Sequence, residues 1–452
     1  MNATGDDSVV WKGHLMIART RGQRPVMRAA AAAAAGALLV GGLAACSASG
    51  GDDTADGGVR EVDFWGWVPG LEDLVAQWNE ENPEIQVSFH RMTGDDGQKV
   101  EAAVDAGQGP DLVQLSTHDL PDYVIAERVI DITDYVAEDE SNYTPASWAS
   151  VSFDGRVYGV PQGIGPAGTM YRTDIFEQYG LEFPETWDEY LDAARALKAA
   201  NPDMYIANLS PSEIGQWAQE IQQAESSWYG IDGDAWTVGV NDEGSQLVAE
   251  RWQTLLDEGL VTTEQMWTPE YWALVNNGTI ATISYAAWFP SILAENASGL
   301  AGQWAVAPLP KNAGSENSGD SGGAAVVVLK NTEDAEAAAE FASWLNGSDD
   351  TQETLITVGG LFPSTLNGLA SPALLSENEF YGGQVINEVF IESAEETPAT
   401  WVEGPNYGTI QTAILDEFAK VINGEQTFLE ALDIAQAAAI ADLEARGLSV
   451  VQ

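Results

Sequence analysis

Fifteen tryptophans follow Cys46, and thirteen tyrosines add to them. Flat aromatic faces cover apolar C–H surfaces, and carboxylates or amides beside them take up the hydrogen bonds of hydroxyl groups. That combination in a concave site suits a polyhydroxylated ligand. Residues for reactive chemistry are scarce by comparison. Cys46 is the sole cysteine, and only His90 and His118 follow it as histidines. A histidine-based triad or a transition-metal cluster is not expected from so few donors. The chain has neither a P-loop nor a His-Glu-x-x-His pair, so no cofactor or metal is called for. A glycosidase needs two carboxylates at a set separation. With 68 acidic residues from Cys46 onward, such pairs carry no information.

The 452-residue chain has a net charge of −52. From Cys46 onward, 13 Lys and Arg face 68 Asp and Glu. Such a surface repels polyanions, which disfavours nucleic acid and an anionic ligand. Dense acidity is also tolerated where salt screens self-repulsion, as in a saline habitat. Residues 1–45 read as a secretory signal. Arg19, Arg21, Arg24 and Arg28 form a basic region, and the apolar run Ala29–Val40 leads to Leu43-Ala44-Ala45-Cys46. The run falls short of the roughly 20 residues of a spanning helix. Residues 1–15 look like an over-long start, because a signal beginning at Met16 or Met27 is complete. Leu-Ala-Ala-Cys looks like a bacterial lipobox, which implies cleavage before Cys46 and lipid on its sulfur. The plainer alternative is an ordinary signal beside an idle thiol. Residues 46–58 then form the lipidated end and a flexible Gly/Ser/Asp tether.

Regular elements begin past the tether. Val59–Trp65 alternates as a strand, and Leu71, Leu74, Val75 and Trp78 share one face of a following helix. Asn82-Pro83 stops it, and Ile85–Phe89 is the next strand. A helix near Val100–Ala106 leads to the apolar strand Leu112–Leu115. Strands alternating with helices predict α/β architecture and a mainly parallel sheet. Thr186-Trp-Asp-Glu189 and Thr427-Phe-Leu-Glu430 spell capping boxes. Thr279–Tyr285 and Ala324–Leu329 are further strands. A helix after Asn331 buries Phe341 and Leu345 and ends at Gly347. There is no internal repeat and no long linker after Gly58, so two lobes would be interwoven.

Four stretches, taken in order, resemble one family: FWGWVPGLEDLVAQWNEENPEIQV (64–87), GQGPDLVQLSTHDL (107–120), DGRVYGVPQGIGPAGTMYRTDIFEQYGLEFPETWDEY (154–190) and NNGTIATISYAAW (276–288), with GGAAVVVLKNT (322–332) downstream. The chain is similar to the extracellular solute-binding proteins of carbohydrate ABC importers, the family that includes maltose-binding protein. The resemblance spans roughly residues 60 to 445. It implies a periplasmic-binding-protein-like fold of two α/β lobes with a ligand cleft between them. Transferred here, lobe one holds 59–162 and 285–332, and lobe two holds 168–284 and 333–452. The crossing 162–168 is glycine-rich and suits a hinge. The implied activity is capture of an oligosaccharide, without catalysis, for the membrane permease subunits of an importer. The protein would be a monomer held by its lipid on the outer face of a Gram-positive cell membrane. Rival readings are a binder of another solute, such as a peptide, or a secreted glycoside-active enzyme.

The candidate ligand residues follow partly from this resemblance and partly from residue type and position. Trp288 ends its strand where the family places a sugar-stacking tryptophan, and Tyr407 falls where the family also has an aromatic. Trp65 and Trp67 close the first strand at the mouth of the sheet, one expected to face the cleft and one to pack. Ser116, Thr117, His118 and Asp119 resemble the family's polar loop toward ligand hydroxyls; the bland alternative is a cap for a helix near Pro121. Gln162 and Gly163 lie at the first crossing. Gly165 stands where some relatives carry an acid, a departure from a maltose-like pattern. Trp217, Trp228, Tyr271 and Trp272 are candidate walls from lobe two, with Trp217 the first expected to be core instead. Glu403 completes the set. Asp111 is read as a turn residue.

Overall fold

The computed structural model describes residues 58–451 apart from 94, 95, 234, 399, 400, 402 and 403. The signal, Cys46 and most of the tether lie outside the described residues. Strand Arg60–Gly66 opens the first lobe, and helix Leu71–Glu81 buries the four apolar residues that its spacing predicts. The six-stranded sheet of this lobe also takes Ile85–Arg91, Leu112–Ser116, Gly159–Ile164, Ala324–Val328 and Phe362–Pro363. Asp111 ties two of these strands, its carboxylate accepting from the Asp63 backbone at 2.8 Å.

The sheet is mixed rather than mainly parallel. Arg60–Gly66 runs parallel to both of its neighbours. Ala324–Val328 is antiparallel to Leu112–Ser116 and to Gly159–Ile164. The reason is topological: Ala324–Val328 enters this sheet from the other lobe, and no crossover helix within the first lobe dictates its direction.

Strand Gly159–Ile164 leaves the first sheet, and after Gly165-Pro166 the chain becomes strand Ala167–Arg172 of the second lobe. There it pairs with Thr282–Ala286 and Trp304–Ala307. Two expected boundaries are thereby corrected. Residues 285–307 pack in the second lobe, where Tyr285, Phe289, Leu293 and Trp304 share a core with Met170 and Phe390. Helix Ala335–Gly347 belongs to the first lobe, with Phe341 wedged edge-on against Phe64 and Trp78. Hydrophobic patterning finds such elements but does not say which core receives them.

A second core binds helices Trp187–Ala200, Gly215–Gln223, Glu243–Asp257, Tyr407–Ile422 and Phe428–Ala445. Both predicted capping boxes form, Thr186 with Glu189 and Thr427 with Glu430. Inside this core sits an ion pair: Arg251 donates to Glu220 Oε2 at 3.0 Å, and Trp252 Nε1 donates to the same oxygen at 3.0 Å. The Arg251 guanidinium also lies 4.0 Å from the Trp187 ring centre. Burial pushes the Glu220 carboxyl up to about 7 against the pull of Arg251, while burial pushes Arg251 down.

Candidate ligand cleft

At the cleft, two of the crossings of the chain between the lobes run side by side. Ser321 N donates to Gly165 O at 2.8 Å and Ala167 N to Gly319 O at 2.9 Å. The crossings pack so closely that a Cβ on Gly165 would fall 2.1 Å from the carbonyl oxygen of Gly322. Only glycine fits there. Gly165→Ala is expected to destabilise the fold by about 1–3 kcal/mol, as an overpacked core does. Urea unfolding monitored by tryptophan fluorescence measures it.

On the second-lobe side of the crossings stands an aromatic group. Trp288 Nε1 donates to Ser321 O at 3.2 Å, and Tyr285 lies edge-on to Trp288 with ring centres 4.8 Å apart. Trp267 lies 6.4 Å from Trp288 with the planes at 24°. Its indole N–H donates to Glu213 Oε2 at 3.0 Å. Trp267 is exposed and has φ +68°. A left-handed backbone is an outlier for so bulky a residue, and such strain concentrates where a site requires a particular side-chain placement. Burial, with the Glu213 carboxylate beside it, pushes the Tyr285 hydroxyl well above its ordinary value. The group offers two indole rings, Trp267 exposed and Trp288 half-buried, and one carboxylate.

A second aromatic group spans the gap between lobes. His118, from the loop after Leu112–Ser116, stacks on Tyr407 with centres 4.6 Å apart and planes at 10°. Trp228 lies behind Tyr407 at 5.8 Å, and Trp401 beyond Trp228 at 5.3 Å. His118 also borders the crossing, 3.5 Å from where a Gly322 Cβ would stand.

The remaining candidates separate by burial. Trp67 is exposed just past the first strand. Trp65 is half-buried, lies 4.5 Å from the His90 ring and donates to Asp63. Ser116 is half-buried, Thr117 is buried, and Asp119 is exposed. Asp119 sits at the N-cap of helix Leu120–Ile125 without a side-chain cap bond. Trp272 is half-buried beside Phe289. Five candidates are closed to a ligand in this arrangement. Gln162 is buried in an amide chain, accepting from Gln114 and donating to Asn346 at 3.0 Å. Trp217 packs among Phe418 and Phe428, and Tyr271 and Trp228 are fully buried. Gly163 is buried in strand pairing with Ala324 and Pro363. Trp288 stands on the second lobe, not the first as expected. Glu403, like Cys46, lies outside the described residues.

Sequence reasoning passed over Trp267 and Glu213. Trp267 immediately precedes Thr268, which caps helix Pro269–Asn276, so a loop tryptophan was readable there. Glu213 had no signal among so many acids. One catalytic spelling does occur: Gly319-Asp-Ser321-Gly-Gly323 fits G-x-S-x-G. It sits in the second crossing and runs into strand Ala324–Val328, whereas a nucleophile elbow requires a strand before it and a helix after it.

Residues 73–379 match the family of bacterial extracellular solute-binding proteins. The chain belongs to that family. Family membership places it outside the cell or in the periplasm. Among its relatives is the arabinooligosaccharide-binding protein of Halalkalibacterium halodurans, 24% identical over 377 residues that cover 80% of this chain and 83% of the relative. Two solved structures agree over most of its length. One is the galacto-N-biose/lacto-N-biose I-binding protein of Bifidobacterium longum in complex with lacto-N-biose, at 30% identity and TM-score 0.80, covering 88% of this chain and 100% of that one. The other is the transporter-associated binding protein of B. animalis subsp. lactis in complex with β-1,6-galactobiose, at 27% identity and TM-score 0.79, covering 87% and 100%. The two-lobed α/β fold expected from the resemblance is the fold of this solute-binding protein.

Proposed function

We propose that this protein captures an uncharged oligosaccharide between its lobes and passes it, chemically unchanged, to the permease subunits of an importer. The observation that carries this reading is the pairing of the Trp267 and Trp288 indoles, near-parallel and beside the Glu213 carboxylate. Indole faces suit the C–H faces of a sugar ring, and a carboxylate accepts from its hydroxyls. The sugars in the printed names of its relatives and structural neighbours support the same class of ligand. Few cationic side chains are available to hold an anionic one.

A thermal-shift screen tests the reading, because a ligand bound only by the native state raises the melting temperature by mass action. Lacto-N-biose, β-1,6-galactobiose, arabino-oligosaccharides and short peptides are the probes. Stabilisation by a sugar and not by peptides is expected; the reverse selects the peptide-binding alternative. Chromatography of sugar recovered after long incubation is expected to return it intact. Cleavage products formed by pure protein would make it an enzyme.

The proposal extends to anchoring. Cys46 carries the lipid, and the protein works as a monomer at the outer membrane face. Among the described residues no helix is long and apolar enough to cross a membrane, so retention rests on Cys46 in this reading. Cys46→Ser is expected to move the protein from the membrane fraction to the medium. Retention of the variant in the membrane would place the anchor elsewhere.

A further inference from the structure

The lobes touch each other directly on one edge of the cleft, through side chains that are not part of the Trp267–Trp288 group. Arg446, at the end of helix Phe428–Ala445, donates to Asp122 Oδ1 at 2.5 Å. Asp122 lies in the first turn of helix Leu120–Ile125 on the other lobe. The stacked His118 and Tyr407 rings make a second contact on the same edge, since His118 and Asp122 are only four residues apart.

Arg446 is held in place before it crosses. Its Nε donates to Asp442 Oδ2 at 2.8 Å, and its NH1 also donates to the Pro405 carbonyl at 3.1 Å. Asp442 in turn accepts from Asn406 at 2.9 Å, the residue preceding helix Tyr407–Ile422. A guanidinium already ordered within one lobe loses little further entropy when it meets a carboxylate from the other. The side chains of Arg446 and Asp122 are 32% and 37% exposed, so the contact forms and breaks in water and is screened by salt.

We propose that Asp122 and Arg446 form a ligand-independent latch that biases the lobes toward closure. They are positioning residues: they set affinity without touching the ligand. A ligand that needs the closed form binds with an apparent affinity reduced by the fraction of molecules that are open. By holding part of the population shut, the latch raises that affinity. It depends on the two-lobed fold and not on which sugar enters, so its test begins without ligand.

The experiment places spin labels at Asp73→Cys on the first lobe and Glu250→Cys on the second, in the full chain carrying Cys46→Ser. Both label sites are exposed. Ligand-free distance distributions are compared for the latched protein, Asp122→Ala and Arg446→Gln. Asp122→Ala is the cleaner variant, because Arg446 keeps its bonds to Asp442 and Pro405. The closed-to-open ratio is expected to fall about two- to fivefold in either variant, the range of a modest ion pair. Because salt also screens repulsion between the acidic lobes, the latch reads as the difference: high salt should narrow the gap in closed-to-open ratio between the latched protein and Asp122→Ala. With lacto-N-biose as probe, Asp122→Ala should weaken binding by a similar factor, mainly through faster dissociation. Identical ligand-free distributions in the latched protein and Asp122→Ala overturn the latch, whatever happens to melting temperature. If lacto-N-biose fails to bind any of the proteins, the ligand assignment suffers, and the ligand-free distances still decide the latch.

Discussion

Trp288→Ala is expected to weaken oligosaccharide binding roughly 30-fold or more, while the ligand-free protein stays folded. Trp288 is half-buried, and its indole N–H is anchored to the Ser321 carbonyl at the lobe crossing. Its ring is held edge-on by Tyr285 and faces Trp267 at a shallow angle. A packed aromatic at the centre of a binding site costs about 2–4 kcal/mol when truncated, which converts to that loss of affinity. Titration calorimetry with a sugar that passes the thermal-shift screen measures the first quantity, and calorimetric melting without ligand measures the second. Normal affinity would remove Trp288 from the site. A steep fall in the ligand-free melting temperature would make it a structural residue instead. Trp267→Ala should act in the same direction and release Glu213 from its indole partner.

The second large effect concerns stability alone. Arg251→Met is expected to destabilise the fold by about 3–5 kcal/mol, because it leaves the Glu220 carboxylate buried without its counter-charge. The Glu220 side chain has no solvent exposure, and Trp252 Nε1 and Arg251 donate to its Oε2. Arg251 also packs on Trp187 and donates to Asn312, so its loss loosens the segment that leads to the second crossing. Replacing both charges, Glu220→Leu with Arg251→Met, should recover most of the loss, since removing a buried pair together is often close to neutral. Denaturant midpoints at constant slope read both variants. A single variant as stable as the parent would mean that the pair is solvated or that Glu220 stays protonated at neutral pH.

Much of the local structure was legible because its causes are local. Leu71, Leu74, Val75 and Trp78 lie on one helical face by spacing alone. The two capping boxes need only residues three apart. The scarcity of histidine and cysteine is a property of composition. The order of the motifs pointed to the family and to a two-lobed α/β fold, and both hold.

What the tertiary structure decided involves partners far apart in the chain. Trp288 has its bond to Ser321, and His118 meets Tyr407 almost 290 positions later. No periodicity within a 10-residue window encodes such a meeting. The sheet's mixed direction and the first-lobe place of Ala335–Gly347 depend on where the chain re-enters a core after crossing. Gln162 looked like a ligand residue because it lies at the first crossing between the lobes. The fold instead spends both ends of that residue's amide on Gln114 and Asn346, since a buried polar group must be satisfied wherever the core closes over it. Residue type therefore determined which chemistry was possible for this protein, and long-range packing decided which side chains remain free to perform it.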